Sequence, residues 1–171
     1  MLNARENAVS FGLGLQITNI SKDIVVDRGR GWSYVPRTYI EANGLTPDEF
    51  HSGKSSENDL KVLNCLLNKT VGHLNDALDF ILAIPRSYAR IRLFCIWPLW
   101  MAMETVAKLH NNHDLLKSNA NVKIPRRTVK RILRQTPFIY WSNKLLHRSF
   151  SNILKTEDFG SFDHFSIGQL K

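Results

Sequence analysis

Gln16, Asn19, Asp23 and Asp27 follow one another at steps of three, four and four residues in a stretch of otherwise apolar and small side chains. On an α-helix those steps keep all four on one face. Two carboxylates one turn apart repel each other, and they lose hydration wherever that face is covered. Something positive must offset both costs. A divalent cation fits this chemistry, and Mg²⁺ takes a few carboxylate oxygens and completes its shell with water and substrate phosphate. Arg28-Gly29-Arg30-Gly31 comes directly after and adds two guanidinium groups suited to bidentate phosphate contact. A bare Asp-x-x-x-Asp is commonly a pair of carboxylates on a solvated helix face. The flanks Gly12-Leu13-Gly14-Leu15 and Ile17-Thr18 do not read as such a face, and the two glycines would let a helix or ligand approach closely.

The elements that must position these residues read as helices throughout. The first is in its apolar period within about ten residues, with no convincing cap before it, and stops at Gly29 and Gly31. That is how a chain looks when it begins inside a helix of a larger domain. Short helices are expected over 37–43 and 47–52, the latter opened by Thr46-Pro47-Asp48-Glu49. A long amphipathic helix over 57–83 carries the stripe Leu60, Leu63, Leu67, Val71, Leu74, Leu78 and Ile81 or Leu82. The next, over 88–110, is apolar nearly all round, is expected to kink at Pro98, and belongs at the centre of a bundle. A last helix is expected from Pro125 to Arg148 with a second kink at Pro137. The organisation expected is one domain over 1–148 and a weakly structured tail over 149–171. No segment alternates like a strand, so the fold class is all-α.

At 171 residues the chain suits a single domain with a proper core. Cys65 and Cys95 lie in apolar helical patterns and read as buried thiols in a reducing compartment. The net charge of +8 is concentrated: from Leu115 to Thr156 there is no Asp or Glu, and ten Lys and Arg. Such a run is a solvated basic face, or it meets a polyanion, a membrane surface or a phosphorylated small molecule. No stretch reaches the roughly 20 apolar residues of a membrane span, and the first residues lack the layout of a signal peptide.

The order Gly12, Gln16, Asn19, Ile20, Asp23, Asp27, Arg28, Gly29, Arg30, Gly31, Tyr34, Pro36 resembles the second aspartate-rich motif of the squalene and phytoene synthases. Phe94-Cys95-Ile96-Trp97-Pro98-Leu99-Trp100-Met101-Ala102 resembles the Phe-Cys-x-x-Pro-x-x-Met-Ala segment of the squalene synthase branch. Asn111-Asn112 and Val122-Lys123-Ile124 with Arg126 and Arg127 resemble the Tyr-Asn-Asn and Val-Lys-Ile-Arg region of that branch. The chain has Lys22 where the family usually carries Arg, and Val26 where an acid is common. The resemblance covers about residues 5 to 135. It corresponds to the C-terminal half of a synthase, without the family's first aspartate-rich motif or the membrane anchor of eukaryotic members.

The resemblance implies an all-α bundle of the isoprenoid synthase type, incomplete in its N-terminal helices. It implies a farnesyl-diphosphate farnesyltransferase that joins two farnesyl diphosphates to presqualene diphosphate and reduces this to squalene with NADPH. The cofactors would be Mg²⁺ and NADPH. Asp23, Asp27 and Asn19 would hold metal; Gln16, Asn19, Lys22, Arg28, Arg30 and Tyr34 would contact substrate. Phe94, with Trp97 or Trp100, would line a dry cavity around a carbocation, and Asn111, Lys123, Arg126 and Arg127 would hold cofactor phosphate. With one carboxylate pair the chain alone is expected to be inactive. The competing readings are a phytoene or dehydrosqualene synthase portion, which needs no NADPH, and a non-catalytic basic helical binding module. The expected location is cytoplasmic, with membrane contact at most peripheral. Nucleic acid is not an expected partner, since aromatics do not interleave with the basic residues. A monomer is expected over an oligomer.

Overall fold

The computed structural model describes residues 4–52, 57–116 and 122–155. Seven helices run in order: α1 (Ala4–Gly29), α2 (Arg37–Ala42), α3 (Pro47–His51), α4 (Glu57–Ala83), α5 (Ala89–Leu109), α6 (Arg126–Ile139) and α7 (Asn143–Lys155). There is no strand among the described residues.

The long helix α4 buries the predicted stripe, with Leu63, Leu67, Val71, Leu74 and Ile81 inaccessible to solvent. Its most extensive partner is α1, and both pack on α5. Close approach of α1 and α4 depends on Gly14. A Cβ there would lie 2.7 Å from Leu74 Cδ2. Gly12 has nothing within 4 Å, so of the two glycines only Gly14 serves helix packing. A polar pin adds to this interface. The Ser10 hydroxyl donates to Asp76 Oδ2 at 2.9 Å, which leaves Ser10 Oγ to accept from His73 Nδ1 at 3.3 Å.

Helix ends obey the local chemistry. Thr46 and Glu49 form the capping box of α3, behind Pro47 at its first turn. At the end of α1, the Gly31 N–H donates to the Arg28 carbonyl and the Trp32 N–H to the Asp27 carbonyl, both at 2.9 Å. With Gly31 at φ 75°, this is a Schellman close. It turns the chain sharply after the aspartate helix.

Around α5 the core is completed by α6 and α7. α5 runs unbroken through Pro98. Arg92 is fully buried and donates to the Ile84 carbonyl and to Asn143 Oδ1, each at 2.8 Å, tying α5 to the start of α7.

Three expectations are corrected. The single helix over 125–148 is two helices, and the break falls at residues 140–142, past Pro137. Ser142 Oγ accepts from the Leu145 N–H at 3.3 Å and so starts α7. Order does not stop at Arg148: α7 continues to Lys155 and buries Phe150 edge-on against Trp100. The rest of the expected tail, 156–171, lies outside the described residues. Of the two cysteines only Cys95 is buried, and burial pushes its thiol pKa up; Cys65 is exposed.

Candidate diphosphate-binding face

Because α1 is one continuous helix, Gln16, Asn19, Asp23 and Asp27 fall within roughly 80° of one another around its axis. Gln16 and Asn19 are exposed, and Asp23 and Asp27 are half-buried. The opposite side of α1, with Ser10, Gly14, Thr18 and Ser21, is buried. The small and hydroxyl residues interleaved with the motif thus make the packing seam, and the motif's amides and carboxylates are left on the open face.

Each carboxylate has a cation beside it. Lys22 Nζ lies 3.3 Å from Asp23 Oδ2, and Arg30 Nη1 lies 3.8 Å from Asp27 Oδ1. Such partly exposed pairs contribute only about 0–1 kcal/mol. An ionised carboxylate offers about four lone-pair positions, so one loose cation leaves room for a metal or water. The two acids differ in setting: the Asp23 side chain is 42% exposed and that of Asp27 15%. Asp27 turns into a shallow cleft with Ile20, Ile24, Trp32, Tyr34, Val35 and His51.

His51 was not legible as a site residue. It reaches the cleft from the end of α3, and its Nδ1 is buried without a hydrogen-bond partner. Burial pushes its pKa down, the Arg28 guanidinium pushes the same way, and Asp48 opposes them. Only its spacing behind the Thr46 capping box hinted at its place.

The other predicted residues take different positions. Arg28 Nη2 donates to the Leu116 carbonyl at 3.1 Å, bracing the end of α1 against the segment after α5. Arg30 lies over the Trp32 ring, 5.6 Å from its centroid. Tyr34 is exposed at the lip of the cleft. Phe94 is 73% exposed on α5, beside exposed Ile91. Neither Trp97 nor Trp100 shares that open face: the Trp97 indole N–H donates to Thr136 Oγ1 and the Trp100 indole N–H to Ser149 Oγ, which fastens α6 and α7 to α5.

Asn111 adopts φ 52°, the left-handed turn that ends α5. Asn64 Nδ2 donates to Asn111 Oδ1 at 2.9 Å, and the Asn111 N–H donates to Asn64 Oδ1 at 3.3 Å. Lys123, Arg126 and Arg127 are exposed around the start of α6, where no acid occupies the first turn.

Among the described residues no three His, Cys, Asp or Glu side chains gather into a metal cluster. The donor set on α1 is nonetheless suited to Mg²⁺. Two carboxylates and an amide are a partial hard-oxygen shell of the kind this ion completes with water and substrate phosphate.

Comparison with known proteins bears on the family and the fold. The squalene/phytoene synthase family matches residues 2–128. A squalene synthase of Candida albicans is 31% identical over 134 residues, which are 75% of this chain and 29% of that protein. A bifunctional lycopene cyclase/phytoene synthase of Colletotrichum graminicola is 40% identical over 81 residues, 47% of this chain and 14% of that protein. A solved complex of TcSQS with the ligand BPH1237 superposes at a TM-score of 0.72 and 22% identity, over 88% of this chain and 43% of that one. The chain therefore spans less than half the length of each of these relatives, with the all-α isoprenoid synthase fold. On the family match over residues 2–128, the chain belongs to the squalene/phytoene synthase family.

Proposed function

We propose that this chain supplies the second-aspartate-motif side of a squalene synthase-like farnesyl-diphosphate farnesyltransferase. The observation that carries the reading is the open face of α1, where Asp23, Asp27, Asn19 and Gln16 stand together between Lys22 and Arg30. Asp23, Asp27 and Asn19 would hold Mg²⁺. When bound, the metal neutralises diphosphate and favours its departure as an anion. Lys22 and Arg30 draw the diphosphate to the face, and Gln16 orients a phosphate oxygen or a water. Phe94 presents an aromatic ring to the isoprenoid side, where water must be kept from a carbocation.

NADPH, when bound, supplies the reducing power of the squalene-forming stage. Lys123, Arg126 and Arg127, exposed and without an acid nearby on α6, suit its phosphates; Asn111 positions the turn before them. The similarity to a bifunctional lycopene cyclase/phytoene synthase favours a second reading, a phytoene- or dehydrosqualene-type product formed without NADPH.

One carboxylate pair cannot balance two diphosphates and their metal ions, so the chain by itself is proposed to bind substrate without turnover. Equilibrium binding of farnesyl diphosphate, combined with product extraction, tests this. The expected result is retention that requires Mg²⁺, with no squalene formed when NADPH is added. Squalene formation by the purified chain contradicts the one-sided site. Absence of Mg²⁺-dependent retention contradicts the reading as a whole. NADPH binding separates the two product classes.

A further inference from the structure

The two helices outside the α1–α4–α5 core meet at a tip that the diphosphate face does not use. Phe138 is 77% exposed, Trp141 54% and Leu145 38%, all close in sequence around the 140–142 turn. The Trp141 indole N–H is committed to the Phe138 carbonyl at 2.8 Å, so its ring presents only apolar surface outward. Along the same two helices Lys130, Arg134, Lys144 and Arg148 are exposed, and the ion pairs among the described residues include none of them. Among the described residues, Arg131 alone of the α6 cations is paired, with Glu104 of α5. Both helices turn their buried residues inward, Ile132 and Thr136 from α6 and Leu146 and Phe150 from α7, so the cations lie on their outer faces.

We propose that this α6–α7 tip is a docking surface for an anionic lipid membrane. Exposed aromatic and aliphatic side chains at a helix–helix turn can enter the headgroup boundary, and Lys and Arg on the same helices reach lipid phosphates around them. Charge complementarity selects the occupant: there is no acid from Leu115 to Thr156 to repel a negative surface. A nucleic acid would be met by aromatic platforms interleaved with the cations; here the exposed aromatics are confined to the 138–141 turn and the cations lie along the outer helix faces.

Co-flotation of the full chain with phosphatidylcholine vesicles, with and without phosphatidylserine, tests the proposal and requires no substrate. Binding is expected only with phosphatidylserine and is expected to fall with added salt. Lys144→Glu/Arg148→Glu should weaken it by about tenfold or more. Phe138→Ser/Trp141→Ser should weaken it to a similar degree with an unchanged far-ultraviolet dichroism spectrum. Brominated lipid should quench tryptophan emission of the parent chain, and Trp141→Phe should remove that quenching. No flotation with phosphatidylserine at low salt would overturn the proposal. So would binding indifferent to the Phe138/Trp141 variant, or release of the chain from vesicles by an equal charge of duplex RNA.

Discussion

Ser10, His73 and Asp76 make a polar contact across α1 and α4 that depends on protonation. Burial pushes the His73 pKa down, Lys69 adds to this, and Asp76 partly opposes it. The folded protein therefore holds His73 neutral more firmly than the unfolded chain does. Above the unfolded value near 6.5 both states are neutral and the contribution to stability is complete. As pH falls below that value the unfolded chain takes up the proton first, and stability declines until the folded state is protonated too. Thermal melts between neutral and mildly acidic pH should show this decline, and His73→Gln should make it shallower. An unchanged pH profile in the variant would count against the assignment. None of this could be read from the sequence, because the partners lie 63 and 66 residues apart. Arg28 gives the same lesson from the other side. Its type and spacing suggest phosphate; its Nη2 in addition braces the Leu116 carbonyl, 88 residues away, a contact that no local pattern announces.

At the scale of elements, periodicity carried most of the fold. The stripe on α4 and the apolar girth of α5 are local patterns, and they place the core correctly. The α6–α7 break was hidden because the inward positions Ile132, Thr136, Leu146 and Phe150 are compatible with one uninterrupted helix. Only the Ser142 cap marks the restart, and a cap is a weaker signal than a proline. The glycines of α1 divide by what faces them. Gly14→Ala must push into buried Leu74, so it should destabilise the fold by about 1–3 kcal/mol. Gly12→Ala meets open space and should gain up to about 1 kcal/mol from helix propensity. Denaturant unfolding of the two variants measures the difference. Equal effects would mean that the α1–α4 seam is not set by Gly14.

For the molecule as a whole, the motif order in the sequence was enough to indicate the family, since twelve matched positions on α1 and the turn after it are far more specific than a pair of aspartates. The sequence could not show how α1 divides between packing and chemistry. Packing takes Gly14, Thr18 and Ser21, which stand between the matched positions, and the open face keeps the matched Gln16, Asn19, Asp23 and Asp27. That division is the central claim, and phosphorus magnetic resonance of inorganic pyrophosphate, titrated with the chain, tests it most directly. With Mg²⁺ present the pyrophosphate signal should shift and broaden on binding. Asp23→Asn and Asp27→Asn should each weaken that binding by about tenfold or more, as expected when one carboxylate of a metal shell is lost. Their melting temperatures should match the parent chain. Pyrophosphate binding that is equal without Mg²⁺, or unchanged in both variants, would contradict the account.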